Sequence, residues 1–506
     1  MTYHTARFLM VVFAFGLSIV EAAAMDAANS PSRSSQATRP PAAGSQKAMS
    51  QQKPVAAKGT ALSLADAVFM ALRDNRAIRS AYIDRISQKF DLRVAEDRFT
   101  PHLAVAGDVV RQQVSGINQT NIDVTPSAAV LLPTGATFGF AWANSLSDGG
   151  GLQTRSSIAE INFNQPLLRG GGVDVTLAPV RTARLGEKIN RLHLKQTVSD
   201  TIGQVILAYR MLLQSQEEFK LAQAAAARSQ DLVDMNHALI NAGRMASVEI
   251  FQSEADLENQ RIRVLEATRS LETGRLNLLS MLSLDLGTSI VAAESTAPKR
   301  IAPDLSNTMQ IAMAERPDYL AQQLIVEQNK LGIVVAENER LWDLSLFANG
   351  SFGRQSTTGI AIPASSTRIS DVTVGLTLNA PLNDLRRDQS YVQATTTKQT
   401  SALRLATIRQ GVEQQVRESV TEIDIRWRQL EVSRRARELA LKAVDIEKEK
   451  LKVGRSSNFQ VRSLETDLRS AEDQQLSAMI GYLNALTTLD LQLGTTLKTW
   501  RINLAD

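Results

Sequence analysis

The 506-residue sequence contains no cysteine. That excludes a disulfide framework, a thiolate metal site and a cysteine nucleophile, and it leaves no thiol to carry an N-terminal lipid anchor. Histidine is nearly as scarce. His4, His102, His193 and His237 are the four present, and none stands at a metal-ligand spacing such as HExxH. Charge of one sign is not in excess: 56 basic residues face 52 acidic ones, with no dense Lys/Arg block, so nothing points to a nucleic-acid partner. The local cluster Arg434, Arg435 and Arg437 reads as a solvated helix face. Gly170, Gly171 and Gly172 lack the Lys-Ser/Thr of a phosphate loop, and no nucleophile–base pair is suggested by spacing. The expectation is a non-enzyme without metal or cofactor. Aromatics are sparse at 5%, while Ala, Leu, Gln, Arg and Glu are plentiful, which leans toward long helices.

The N-terminus reads as an export signal. Arg7 precedes an apolar stretch at 8–20, and Ala22, Ala23 and Ala24 offer a small-residue cleavage site. The expected division is a signal peptide at 1–24 and a disordered leader at 25–60, rich in Ser, Gln, Pro and Ala. Beyond the signal, no apolar run is long enough for a transmembrane helix, which needs about 18 or more residues.

What the chain does have is itself, twice. Around Gly243-Arg244 and Gly454-Arg455 the sequences align: Ile250, Glu254, Asp256 and Leu257 match Val461, Glu465, Asp467 and Leu468. Leu276-Asn277 matches Leu483-Asn484, and Leu286-Gly287-Thr288 matches Leu493-Gly494-Thr495. Upstream, Asn75-Arg76 faces Arg316-Pro317, and Gln165-Pro166-Leu167 faces Ala380-Pro381-Leu382. The first repeat is placed at 61–286, with a helix, extended segments at 101–166 and a long helical hairpin at 173–286. After a linker at 287–305, the second repeat runs over 306–493, with extended segments at 343–381 and a helical hairpin at 385–493. Residues 494–506 form a C-terminal tail.

The helices carry coiled-coil seams. Ile250, Leu257, Val264, Leu271 and Leu278 recur at every seventh position, as do Val461, Leu468, Tyr482 and Leu489 with Gln475 interrupting. Val198, Ile202, Val205, Tyr209 and Leu212 alternate steps of four and three. Each long helix, of roughly 70 residues, would reach about 105 Å, and its two shorter neighbours stacked end to end would run alongside it. The extended segments alternate: Val372, Val374, Leu376 and Leu378 on one face, Thr373, Gly375, Thr377 and Asn379 on the other. That pattern suits a barrel strand in lipid and equally a soluble amphipathic sheet. The longer first segment, with a turn at Pro133-Thr134-Gly135, leaves four or six strands per chain open, or an extracellular extension.

The order of these features resembles the TolC-like outer-membrane efflux and secretion channels: the duplication, Asn75 and Arg316-Pro317, the re-entry at Gln165-Pro166-Leu167-Leu168-Arg169-Gly170, and the two glycine turns. The resemblance implies a mostly α fold with transmembrane β, in which a duplicated β-hairpin plus long coiled-coil helices builds a trimeric, 12-stranded β-barrel with a 12-helix periplasmic tunnel. It implies a passive export conduit of a tripartite efflux pump or type I secretion system. The conduit would lie in the cell outer membrane among outer-membrane lipid and extend into the periplasm. Its implied partners are two further copies (a homotrimer), a periplasmic adaptor protein and an inner-membrane transporter. The two turns, Gly243, Arg244, Met245 and Gly454, Arg455, Ser456, would form the periplasmic tip that meets the adaptor. Glu249 matches a family position that narrows the tunnel, with Gln460 as its counterpart. Glu254, Asp256, Glu465 and Asp467 are further constriction candidates, facing lumen or solvent. A periplasmic adaptor or coiled-coil scaffold is the alternative.

Overall fold

The computed structural model describes residues 59–294, 298–360 and 363–504. The export signal and nearly all of the leader lie outside the described residues. In chain order the elements are β1 (Thr60–Leu62), α1 (Leu64–Asp74), α2 (Arg76–Asp97), β2 (His102–Val114), β3 (Ile117–Leu131), β4 (Thr137–Gly149), β5 (Leu152–Pro166), α3 (Val173–Asn241) and α4 (Glu249–Met281). The second repeat follows with β6 (Ile290–Ala292), α5 (Leu305–Glu315), α6 (Pro317–Glu339), β7 (Asp343–Gly359), β8 (Ser365–Asn379), α7 (Leu385–Lys452), α8 (Asn458–Leu493) and α9 (Thr496–Thr499).

The single helix expected at the start of each repeat is two helices. Arg316 precedes proline, which bars it from the helical region, and it sits extended at φ −71°, ψ 117°. Asn75 does the same work without a proline. Its backbone is extended, its side chain accepts the amide N–H groups of Ala77 and Ile78, and its Nδ2 donates to the Met281 carbonyl at the end of α4. That last bond joins α4 end to end with α1 and α2, so the composite stave exists and packs along α3. In the second repeat α5, α6 and α8 line α7 in the same way.

Two tyrosines, Tyr209 on α3 and Tyr482 on α8, hold the middle of the staves. The Tyr209 hydroxyl donates to the Leu62 carbonyl and accepts from the Ala293 amide. That of Tyr482 donates to the Lys299 carbonyl and accepts from the Ile301 amide. Both rings are fully buried. Val198, Ile202, Val205 and Leu212 are buried with Tyr209, as the four-and-three spacing predicts. The boundaries shift at two places. Thr60, expected in the leader, belongs to β1, which pairs in parallel with β6 inside the expected linker. The C-terminal tail is packed structure: α9 places Leu497 and Trp500 against Val68, Leu194 and Val198.

The extended segments make one antiparallel sheet ordered β2-β3-β4-β5-β7-β8, so the chain contributes six strands. The first segment holds four of them because two glycine-containing turns fold it tightly. Ser115-Gly116 and Gly150-Gly151 both have positive φ at both central residues, as two-residue hairpin turns require. Pro133-Thr134-Gly135 is not an extracellular extension. Gly172 donates its N–H to the Thr134 carbonyl at 3.0 Å, so this turn lies at the sheet–helix junction. Gly135, at φ +92°, faces the Gly170 carbonyl so closely that no Cβ would fit.

Candidate functional site

Two surfaces matter for a conduit, the helical tip and the sheet wall. At the tip α3 and α7 end in the same device. Gly243 (φ 70°) donates to the Ile240 carbonyl while Arg244 donates to that of Leu239; Gly454 (φ 75°) donates to Leu451 while Arg455 donates to Lys450. These are Schellman closures, in which a left-handed glycine lets the chain satisfy the last helical carbonyls and reverse. The turns adjoin one another, since the Arg244 Nη2 lies 3.5 Å from where a Cβ on Gly454 would stand. Met245 turns inward, packing on the cluster of Leu232, Leu451 and Val461. Ser456 donates to Glu447 at 2.5 Å and to the Gln460 Oε1 at 3.1 Å.

The six constriction candidates separate by what they touch. Gln460 closes a capping box with Ser457 at the start of α8. Asp256 accepts from Ser229 and Gln260. Glu465 accepts from Arg228 at 2.9 Å and stands in an ion pair with Lys448 at 2.5 Å. Glu254 stands 4.0 Å from His237. The side-chain carboxylates of Glu249 and Asp467 have no ion-pair or hydrogen-bond partner among the described residues.

The cross-links between the two hairpins were not foreseen. Arg228 on α3 bridges Glu465 and Glu472 on α8, at 2.9 and 3.1 Å. Nearer the turns, Asn236 donates to Ser253 at 2.7 Å and to Asn458 at 3.1 Å, and Asn458 donates to Ser253 at 2.9 Å. All three residues are essentially buried, and they tie α3, α4 and α8 together. Arg462 and Arg469 add contacts from α8 to Gln252 and Gln260 of α4.

The sheet wall has two chemically distinct faces. Strand register puts Leu103, Val105 and Val109 of β2 on one face with Ile122 and Val124 of β3, Phe138, Phe140 and Trp142 of β4, Ile161 and Phe163 of β5, Leu344, Leu346 and Phe352 of β7, and Val372, Val374, Leu376 and Leu378 of β8. The opposite face carries Asp108, Asp123, Glu160, Asp343 and Asp371 among mainly Ser, Thr, Asn, Gly and Ala, with Ile158, Phe347 and Ile369 among the apolar exceptions. The four β8 residues on the apolar face are each at least 60% exposed, so none of the described residues covers them. No helix among the described residues is long and apolar enough to cross a membrane.

Residues 308–495 match the family model described as Outer membrane efflux protein. A comparison with curated proteins finds no match. Among solved structures, the chain is similar to the Campylobacter jejuni CmeC outer membrane channel, at 14% identity and a TM-score of 0.65, covering 86% of each chain. It is similar to the open-state Neisseria gonorrhoeae MtrE outer membrane channel at 17% identity and TM-score 0.65, covering 86% of this chain and 89% of that one. For the Vibrio cholerae outer membrane protein VceC the values are 15% and 0.65, covering 85% and 96%. The second repeat thus matches the outer membrane efflux protein family model, and the chain as a whole has the fold of these outer-membrane channels.

Proposed function

We propose that three copies of the chain close into an outer-membrane conduit whose barrel has eighteen strands, three times the six of one sheet. The observation that carries this reading is the sheet itself: one apolar uncovered face, one acidic polar face, and free edges at β2 and β8. Open strand edges are not tolerated in lipid, so β8 of one copy must meet β2 of the next. The resemblance implied twelve strands, and the extra β2–β3 pair changes that number. Eighteen strands spaced about 4.8 Å apart and tilted by about 40° give a circumference of roughly 110 Å. A ring of twelve staves about 8–10 Å apart has a circumference of roughly 100–120 Å, so sheet and helices meet without a step.

Unpartnered helical seams support the same assembly. Ile425, Val432, Leu439 and Ile446 recur at every seventh position of α7, and Ile83, Ile86, Phe90 and Val94 stripe α2; all are exposed. Apolar rows of this length on a soluble-facing helix are seams awaiting a neighbour. The tip, with Gly243, Arg244, Gly454, Arg455 and Ser456 at its surface, is the part that meets a periplasmic adaptor and is opened by it. Met245, which packs inward, serves the turn's stability instead. An inner-membrane transporter supplies the energy, and the chain itself is a passive conduit without catalytic chemistry.

Because the sequence has no cysteine, a single introduced thiol tests the wall directly. In lipid vesicles Val374→Cys is expected to resist a membrane-impermeant maleimide, whereas its neighbour Thr373→Cys reacts. Equal reactivity would reject the two-faced wall. In planar bilayers the protein is expected to form discrete cation-preferring channels, as Asp108, Asp123, Glu160 and Asp371 on the polar face favour cations. Anion preference would show that this face does not line the pore.

A further inference from the structure

The apolar face of the sheet is interrupted at one end only, by arginine. Arg354 of β7 stands directly opposite Arg368 of β8, and Arg155 of β5 is diagonal to Arg354, since Ser157 pairs with Arg354 and Arg155 with Ser356. All three lie three to five residues from the strand ends remote from the helices, are exposed, and have no hydrogen-bond or ion-pair partner among the described residues. Like charges directly opposite one another in a ladder destabilise it. Asp123, Glu160 and Asp371 offer no relief because the register puts them on the other face. On the same face Asp148 is diagonal to Arg155, across the Leu146 pair, yet it is not within ion-pair distance of it. Arg111 of β2 lies on this face too, in the row of Thr120 and Asp148, so four cations, three of them clustered, face one acid, and the geometry calls for an anion from outside the chain.

Height identifies where that anion must be. From Leu378, at the helix end of β8, to Arg368 the strand runs about 33 Å. At the usual barrel tilt that is about 25 Å of height, the thickness of the apolar band of an outer-membrane barrel. The arginines therefore sit at the outer headgroup level, while the helix-end rim, with Leu103, Phe138, Phe163, Leu344 and Leu378, carries no charge on this face. Beside Arg155 and Arg354, in the same two rows of the sheet, is a depression of about 470 Å³ lined by Ile122, Val124 and Leu146 together with Asn144, Ser157 and Ser356. Cations at the edge of a hollow with apolar side chains match an amphiphile whose phosphates adjoin its acyl chains. Guanidinium groups bind phosphate through paired N–H donors, which suits arginine better than lysine here.

We propose that Arg155, Arg354 and Arg368 form a binding site for the phosphates of an outer-leaflet glycolipid of the lipid A type, with an acyl chain against Ile122, Val124 and Leu146. The proposal rests on the outward orientation of this face argued above. The full-length protein in detergent is titrated with bisphosphorylated lipid A, with the same lipid stripped of its phosphates, and with inorganic phosphate, and bound lipid is counted by native mass spectrometry. The bisphosphorylated lipid is expected to bind at least tenfold more tightly than the stripped one. Inorganic phosphate at the same concentration should not displace it. The triple variant R155Q/R354Q/R368Q should lose that difference while keeping the wild-type channel conductance. Equal binding of the two lipids by the wild-type protein overturns the proposal without recourse to any variant, as does displacement by inorganic phosphate or undiminished preference in the triple variant. The Val374→Cys protein separates the two levels of argument. Free maleimide labelling in vesicles would remove the outward orientation itself, whereas protection together with phosphate-blind binding would remove the lipid site alone.

Discussion

Replacing Arg228 by glutamine is expected to raise the open probability of the channel in planar bilayers roughly thirty- to hundredfold. Arg228 is the charged link between the two hairpins near the tip, and it serves two carboxylates at once. Glu465 would keep Lys448, but Glu472, whose side chain is only 5% exposed, has no other ion-pair partner among the described residues. Removing one member of a buried pair costs about 3–5 kcal/mol, because the remaining charge is stranded away from water. Arg228 is itself partly solvated, at 21%, so about 2–3 kcal/mol is the appropriate scale here. If an opening step separates α3 from α8, the wild type must supply that energy to open and the variant need not, which gives the stated population shift. Two controls sharpen the result. R228K keeps the charge but cannot fork between two carboxylates, so it should open to an intermediate degree. The double variant R228Q/E472Q removes the stranded acid and should be more stable to heat than R228Q alone. A folded, trimeric R228Q protein with wild-type conductance and open probability would show that the α3–α8 link takes no part in opening.

Much of this architecture is legible in the residues because supercoiled helices write their seams at fixed spacing. Tyr209 and Tyr482, the glycine turns and the staves are all visible as repeats. The Asn236–Ser253–Asn458 cluster is not, because a polar residue on a helix reads as solvated until the neighbouring helix is known. The role of Gln460 was within reach. Ser457 three residues before it is a capping-box signature, and it competes directly with the reading of Gln460 as a lost acidic constriction. The strand number required structure for a different reason. Ser115-Gly116 is a weak turn signal between two segments whose alternation mixes apolar, polar and charged residues, so length alone could not divide 101–166 into four strands. Arginines on the apolar face obscure the same pattern. A charge on an apolar stripe looks like an error in the alternation until its height on the wall gives it a place.

Glu187→Gln is expected to lower the stability of the helical barrel by about 3 kcal/mol near neutral pH, through a mechanism that acid should mimic in the wild type. Arg85 of α2 and Glu187 of α3 form a bidentate pair, with Nη1–Oε2 at 2.7 Å and Nη2–Oε1 at 2.5 Å. Both side chains are largely withdrawn from solvent, at 7% and 17% exposed. The hydrogen bond from Arg85 holds the Glu187 carboxyl below its ordinary value near 4.5, and the charges of Arg85, Lys89 and Arg191 act in the same direction against burial. A carboxyl with a depressed folded value binds fewer protons in the folded chain than in the unfolded one. Its stabilisation is therefore complete above the unfolded value and is lost as pH falls through the folded value. The neutral glutamine cannot neutralise its three cationic neighbours at any pH. Thermal unfolding midpoints of wild type and E187Q should accordingly differ by several degrees at neutral pH and converge as the pH falls through the depressed folded value of Glu187. A gap that persists undiminished into acid would assign the effect to the lost shape of the side chain and not to its charge. A gap absent at neutral pH would mean that Arg85 is held well enough without Glu187, and the junction between α2 and α3 would then owe its cohesion to apolar packing alone.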